Sequence, residues 1–145
     1  MQIKFWRPEN EHGIFSNFAH TPLVIDGVDY LTAEHYFQAQ KTQDSREWAE
    51  IVKASSPTLA KRLGGECHMR PDWDTKRCSV MMRVLREKAV QSPEFRKALI
   101  DSGDAELIKA SPWDAFWGCG RNGSGRNMLG EQLMDIRQMI KDGDL

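Results

Sequence analysis

The sequence predicts an α+β fold that is mostly helical and forms a single domain over residues 1–145. Three observations lead to this prediction. Apolar residues recur at helical spacing through most of the chain beyond residue 32. Strand-like segments concentrate in the N-terminal third, which predicts a small antiparallel sheet there. A length of 145 residues suits one domain with one core.

The strands come first in the chain. Residues 3–6 predict a short strand, and residues 22–31 predict a hairpin, because Asp26-Gly27 supplies a turn between β-branched residues. Thr32 then fits the N-cap of a helix that continues to about residue 41. Five later segments carry helical spacing or start and stop signals: 44–54, 57–64, 74–90, 93–100 and 127–141. Residues 106–109 predict a short strand or a helical turn.

Composition excludes some classes of protein. The formal net charge of −1 gives no overall field that would favour nucleic acid or an anionic membrane, so a nucleic-acid substrate would have to be bound by local contacts. No apolar run approaches the ~20 residues of a membrane span, so no membrane partner is expected. The three cysteines are odd in number and widely spaced, which predicts reduced thiols and a cytoplasmic protein. Neither they nor the four histidines have a metal-ligand spacing.

The segment from Thr32 to Lys41 carries the most chemistry. At about 100° per residue, Glu34, Gln38 and Lys41 share one face of the predicted helix. This polar column is either a solvated outer face or the wall of a pocket. In a pocket the carboxylate can activate water, and the lysine can attack an aldehyde if its pKa is lowered. On a solvated face the two charges form only a distant surface ion pair.

A glycine-rich loop at residues 118–127 precedes the last helix. Glycines let a backbone approach an anion, a helix N-terminus offers free N–H groups, and Arg121 and Arg126 can bind phosphate oxygens. The loop is not a dinucleotide-binding G-x-G-x-x-G, which needs a preceding strand and a βαβ unit. The alternative is a flexible surface loop in which Asn127 is an ordinary N-cap.

Two tryptophan segments have both structural and functional interpretations. Ser111-Pro112-x-Asp114 has the spacing of a capping box, so Asp114 is either a helix cap or a functional acid. Trp117 is either core or a surface on which a base stacks. In Asp72-Trp73-Asp74, we interpret Asp74 as a helix cap, and Trp73 as core or the wall of a ligand site.

These stretches, in this order, resemble the NADAR family, also described as YbiA-like proteins. The resemblance covers nearly the whole chain, and the matching residues fall in four groups. They are Phe15-Ser16-Asn17-Phe18; Thr32, Glu34, Tyr36, Phe37, Gln38, Ala39 and Lys41; Arg70, Trp73, Lys76, Val84 and Lys88; and Ala110, Ser111, Pro112, Asp114, Trp117, Gly118, Gly120, Gly125, Asn127, Leu129, Gly130, Leu133, Met134 and Arg137.

The resemblance implies a YbiA-like fold and an N-glycosidase. Two substrate types are associated with the family: ribosylamino-pyrimidine phosphates of early riboflavin synthesis, and ADP-ribose joined to the amino group of guanine in nucleic acid or nucleotide. Both contain a 5′-phosphorylated ribose with an amine at C1. No cofactor or metal is implied, and a toxin–antitoxin partner is compatible with the resemblance. The rival function from another class is a non-catalytic reader of ADP-ribose or nucleotide.

The resemblance also suggests roles for individual residues. Glu34, Lys41 and Asp114 are the expected catalytic residues. In one route Glu34 stabilises a ribose cation or activates water, while Asp114 protonates the leaving amine or holds the sugar hydroxyls. In the other, which we favour, Lys41 captures C1 as a Schiff base. The expected ligand-binding residues are Arg7, Ser16, Asn17, Phe18, Trp73, Trp117, Gly118, Gly120, Arg126 and Asn127.

Overall fold

The computed structural model describes residues 1–145 and confirms the predicted α+β class. The strands are β1 (Gln2–Phe5), β2 (Leu23–Ile25), β3 (Val28–Tyr30) and β4 (Glu106–Lys109). The helices are α1 (Ala33–Ala39), α2 (Ser45–Val52), α3 (Pro57–Glu66), α4 (Trp73–Gln91), α5 (Pro93–Asp101) and α6 (Met128–Lys141). The chain forms two compact units, residues 1–19 with 89–145 and residues 20–88. A single domain over residues 1–145 stays a prediction.

The first unit (residues 1–19 and 89–145) contains a two-stranded parallel sheet. β1 pairs with β4 from Gln2 opposite Glu106 to Phe5 opposite Lys109. The ring centroid of Phe15 lies 5.7 Å from that of Phe5 and 6.3 Å from that of Phe95, so aromatic packing joins these segments. The unit therefore has its own apolar core.

The sheet differs from the sequence prediction in one respect. β1 does not join the N-terminal hairpin; it pairs in parallel with β4, about a hundred residues later. Strands of four residues carry too little pattern to specify a partner, and a parallel pair needs a long connection that local sequence does not show. Residues 106–109, predicted as a strand or a helical turn, form the strand.

The second unit (residues 20–88) contains the predicted hairpin. β2 and β3 pair antiparallel, and Asp26 and Gly27 have φ values of 53° and 76°. Positive φ at both central residues matches the tight turns that suit the twist of a hairpin. The guanidinium of Arg83 also donates to both carboxylate oxygens of Asp26, at 2.9 and 3.1 Å. The local turn signal therefore placed this element correctly.

Asn127 occupies the predicted N-cap position of α6 but does not cap the helix with its side chain. Its backbone is left-handed, with φ 50° and ψ 42°. Its side-chain Oδ1 accepts from the Lys109 amide at 2.9 Å, and its Nδ2 donates to the Leu107 carbonyl at 2.9 Å. The side chain thus ties α6 to β4, and ligand contact by Asn127 stays a prediction.

We expect Asn127→Asp to destabilise the fold, because a carboxylate cannot donate to the Leu107 carbonyl. A buried carbonyl left without its donor costs about 1–3 kcal/mol, so the free energy of unfolding in urea should fall by about that amount. Asn122→Asp is the matched control, since the Asn122 oxygen accepts from Ser124 and a carboxylate keeps that role. Equal stability of the two variants would contradict this role of Asn127.

Candidate active site

Helix α1 of the second unit is the most deeply buried of the predicted functional segments. Thr32 caps it, since its hydroxyl accepts from the His35 amide at 3.2 Å. The His35 ring, which is fully buried, contacts the Thr32 hydroxyl at 2.8 Å and the Ala54 carbonyl at 3.0 Å. All seven residues of the helix are buried. The start of α1 is therefore fixed by polar contacts on both sides of the ring.

The polar column of α1 is not a solvated surface. Glu34 is 7% exposed and Gln38 is 3% exposed. The Gln38 Nε2 donates to Glu34 Oε2 at 2.5 Å. A buried carboxylate needs hydrogen-bond donors to offset lost hydration, and Gln38 supplies one. Of the two interpretations that the sequence left open, the solvated face is excluded.

Lys41 lies beyond the end of α1. The helical spacing that predicted a shared face with Glu34 and Gln38 therefore does not determine its position. The helix ends at Ala39, and the Lys41 amide donates to the Gln38 carbonyl at 3.1 Å. The Lys41 carbonyl accepts from the Arg70 amide at 2.7 Å, which turns the chain out of the helix. The Lys41 Nζ then lies 5.7 Å from the centroid of the Phe37 ring.

Burial controls the charge of Lys41. It lowers the pKa of the Lys41 amine, and the nearby Glu34 carboxylate and Cys67 thiol offset only part of this effect. A larger fraction of the amine is therefore unprotonated at a given pH than in an exposed lysine. That is the state in which an amine attacks a carbonyl carbon. No local pattern in the sequence indicates the interaction of Cys67 with Lys41, because it depends on how α3 folds.

Trp73 is buried and packs its ring on Phe37, with centroids 5.2 Å apart and planes at 63°. It thus contributes to the core around α1 from the first position of α4. The prediction that Asp74 caps α4 is wrong. The helix begins at Trp73, so Asp74 lies inside its first turn. An acid in the first turn still interacts favourably with the positive end of the helix dipole.

In the first unit, Asp114 stabilises a turn and not a helix. Its Oδ1 accepts from the amides of Phe116 at 3.0 Å and Trp117 at 2.8 Å. No helix begins at Ser111, so the predicted capping box is wrong. The reason is that the amides of Arg126, Met128 and Leu129 take the carbonyls of residues 115–117, which an α-helix would need for itself.

The surroundings of Asp114 favour its charged form. Burial opposes ionisation, but the amides of Trp117 and Phe116 and the amine of Lys109 outweigh it, so the pKa of Asp114 lies below its ordinary value. The Lys109 Nζ is 3.6 Å from Asp114 Oδ2. An acid with a lowered pKa is better suited to accept hydrogen bonds than to donate a proton. The sequence did not identify Lys109 as a partner of this acid.

The glycine-rich loop folds closely on itself. A Cβ on Gly118 would come within 2.8 Å of the Asp114 carbonyl oxygen, and one on Gly125 within 2.5 Å of the Gly118 carbonyl oxygen. The first amides of α6 are also occupied, since Met128 and Leu129 donate to the carbonyls of Phe116 and Trp117. Two of the N–H groups that were predicted to be free at this helix end are therefore engaged, because they bind the segment that precedes the loop.

The two arginines among the expected ligand-binding residues lie at the surface and stack on aromatic rings. Arg7 stacks on Trp6 with 4.6 Å between its Cζ and the ring centroid, and Arg126 stacks on Phe116 at 5.1 Å. An open groove of about 330 Å³ lies beside Arg126 and the glycine-rich loop. Its other lining residues are Gln2, Lys4, Glu106, Ile108, Cys119, Gly123, Gly125, Asn127 and Glu131.

The remaining predicted contacts of the first unit are distributed over two segments. Ser16 and Asn17 are buried, and the Ser16 hydroxyl accepts from the Phe18 amide at 3.1 Å. Trp117 is half-buried, with its ring 4.9 Å from that of Phe116. Gly120 belongs to the glycine-rich loop, and its amide donates to the Asp114 carbonyl at 3.2 Å. Ligand binding by these residues stays a prediction.

No group of three or more His, Cys, Asp or Glu side chains is placed to hold a metal ion. None of the helices is both long enough and apolar enough to cross a membrane.

Comparison with known families decides where the chain belongs. The NADAR domain model matches residues 4–141, which is nearly the whole chain. The chain belongs to the NADAR family. The N-glycosidase YbiA of Shigella boydii is 40% identical over 140 residues, which span 95% of this chain and 88% of that protein. A riboflavin biosynthesis protein of Vibrio vulnificus is 37% identical over 97% of this chain and 39% of its own length.

A solved structure is also similar to this NADAR chain. The NMR structure of YbiA from Escherichia coli superposes with a TM-score of 0.89 at 38% identity, over 99% of this chain and 88% of that one. The predicted family and YbiA-like fold are therefore confirmed. The predicted class of enzyme, a hydrolase acting on N-glycosyl bonds, is confirmed by the relatives that carry that name.

Proposed function

We propose that this NADAR chain hydrolyses the bond between C1 of a 5′-phosphorylated ribose and an amino group of a base. The candidate substrates are ADP-ribosylated guanine, in nucleic acid or nucleotide, and ribosylamino-pyrimidine phosphates. The observation that carries the proposal is the burial of Glu34 in the first turn of α1, together with a lysine of lowered pKa, Lys41, just beyond the end of that helix. Relatives named for N-glycosidase activity and riboflavin biosynthesis agree with it.

The covalent route uses Lys41. The glycosylamine ring opens to an imine at C1, and the Lys41 Nζ adds to that carbon. Glu34 transfers protons from the added Nζ to the nitrogen of the base, the C1–N bond to the base breaks, and the base leaves as its free amine. Water adds to the resulting Schiff base and releases the sugar and Lys41. The lowered pKa of Lys41 supports this route, since it requires a free amine.

The direct route uses Glu34 alone. The C1–N bond breaks with positive charge on the ribose, and the Glu34 carboxylate stabilises that charge or activates water. In either route we assign Asp114 to the sugar hydroxyls, because its lowered pKa disfavours proton donation. A cytoplasmic location and a toxin partner stay predictions of the sequence.

Parallel incubation with the two substrate types tests the proposed function. Mass spectrometry follows release of ADP-ribose from ADP-ribosylated guanosine and release of ribose 5-phosphate from the ribosylamino-pyrimidine phosphate. We expect release from at least one substrate, with the base keeping its amino group. Tight binding of ADP-ribose without turnover of either substrate would overturn the proposal in favour of a non-catalytic reader.

A further inference from the structure

Gln38 makes one strong polar contact and leaves one polar atom unused. Its Nε2 donates to Glu34 Oε2 at 2.5 Å. Its Oε1 is buried and has no hydrogen-bond partner in the structure. Folded proteins rarely retain an orphaned buried acceptor, since losing its hydration is unfavourable. The amide therefore keeps one orientation at a cost, and that orientation serves the carboxylate of Glu34.

Gly64 in α3 makes room for this orientation. A Cβ on Gly64 would overlap Gln38 Oε1 and come within 2.8 Å of Gln38 Cδ. Gly65, the next residue of the same helix, has nothing within 4 Å of its Cβ position. Two adjacent glycines thus differ in their surroundings, and only Gly64 receives the glutamine side chain.

Rotating the Gln38 amide by half a turn would exchange the positions of Oε1 and Nε2, but it would cost the hydrogen bond to Glu34. It would place the amide oxygen against the carboxylate of Glu34, where two acceptors repel each other. The Nε2 would then lie against α3 at Gly64. Glu34 holds the amide in its observed orientation, and Gly64 leaves space for the oxygen that this orientation turns away from Glu34.

We infer that Gln38, seated against Gly64, is a positioning residue that holds the Glu34 carboxylate in one rotamer for the reaction. This inference rests on the proposed function, because it gives Glu34 the central role. With Oε2 engaged by Gln38, the Oε1 atom of Glu34 is left to act on water or on the leaving amine. Misplacement of a reacting group by about 1 Å can lower a rate on the order of 10²-fold.

Gln38→Met separates positioning from stability. Methionine keeps the length of the side chain and removes the orphaned acceptor, but it also leaves the buried Glu34 Oε2 without the donor that Gln38 supplies, so Tm should fall. We expect kcat to fall about 10- to 100-fold, with an unchanged KM, at a temperature at which the variant stays folded. A glutamine that only stabilised the fold would give the lower Tm with a normal kcat.

The two glycines supply a matched pair. Gly64→Ala should push the Gln38 amide away from Glu34 and reproduce the loss of kcat. Gly65→Ala, one residue further along α3, should leave kcat unchanged. If Gly64→Ala fails to fold, Gln38→Met carries the test alone. Equal kcat values for two folded alanine variants would overturn the role of Gly64.

Gln38→Glu adds a pH readout. A carboxyl group at residue 38 can donate a hydrogen bond to Glu34 only when one of the two carboxyl groups is protonated. The activity of this variant relative to wild type should therefore rise as the pH falls, whereas a structural defect gives a constant ratio. A constant ratio would overturn the inference.

One control distinguishes failure of this inference from failure of the proposed function. An inactive Glu34→Gln together with a fully active Gln38→Met overturns the positioning role alone. An active Glu34→Gln overturns the proposed function and the positioning role with it. A crystal structure of the wild-type chain gives a readout without turnover, since a Gln38 side chain turned away from Glu34 would also overturn the inference.

Discussion

Glu34→Gln is expected to lower kcat by about 10²–10⁴-fold, the contribution typical of a positioned acid or base. The fold should be preserved, because the new amide oxygen can still accept the hydrogen bond that Gln38 donates to Glu34 Oε2. The change removes the carboxylate charge and little else. Steady-state kinetics on the cleaved substrate, with Tm measured on the same preparations, checks both statements.

Glu66→Gln is the matched control for this variant. Glu66 lies in the second unit as well, but it is exposed at the end of α3. Its replacement should leave both kcat and Tm close to those of the wild type. Normal turnover by a folded Glu34→Gln would remove Glu34 from the chemistry and with it the central assignment.

Lys41→Arg is expected to abolish covalent capture of the sugar. Arginine keeps the positive charge, but its guanidinium stays protonated and cannot form a Schiff base. Borohydride added during turnover should reduce the intermediate to a stable adduct on Lys41 of the wild-type chain, located by peptide mass spectrometry. The arginine variant should give no adduct and should lose most of its turnover.

Lys61→Arg controls for a lysine that lies near Lys41 but is exposed. The Lys61→Arg chain should form the same adduct on Lys41 as the wild type and should turn over at the same rate. If the wild type turns over normally and borohydride never labels Lys41, the covalent route is excluded. Direct hydrolysis at Glu34 then remains.

The pH dependence of the covalent step follows from the lowered pKa of Lys41. Below that pKa the amine is protonated and cannot attack C1, so the rate of adduct formation should rise as the pH rises through it. Because burial lowers this pKa, the rise should occur below the range expected for an exposed lysine. Adduct formation that falls with rising pH would contradict a nucleophilic amine.

Local signals predicted the elements whose determinants are near neighbours in the chain. Asp26-Gly27 forms the hairpin turn, Thr32 caps α1, and Ser56 caps α3 with Pro57 in the first turn. Each of these depends on side chains and backbone groups within a few residues. The same reasoning predicted the carboxylate and the amine around α1.

Features set by distant contacts were not predictable in this way. α1 ends at Ala39, where Lys41 and Thr42 pair with residues 69–70, so the position of Lys41 depends on another segment. Asp114 has the spacing of a capping box, yet the chain beyond the glycine-rich loop takes the carbonyls that a helix would need. Gly64 shows no sign in the sequence of its contact with Gln38.

One measurement tests the central claim most directly. The wild-type chain and Glu34→Gln are each incubated with ADP-ribosylated guanosine and with the ribosylamino-pyrimidine phosphate in water labelled with ¹⁸O, and the products are weighed by mass spectrometry. We predict that the wild type releases a sugar phosphate with the label at C1 and a base with its amino group intact, while Glu34→Gln releases neither. Label in the base, cleavage at a phosphate, or equal release by the two chains would contradict an N-glycosidase that depends on Glu34.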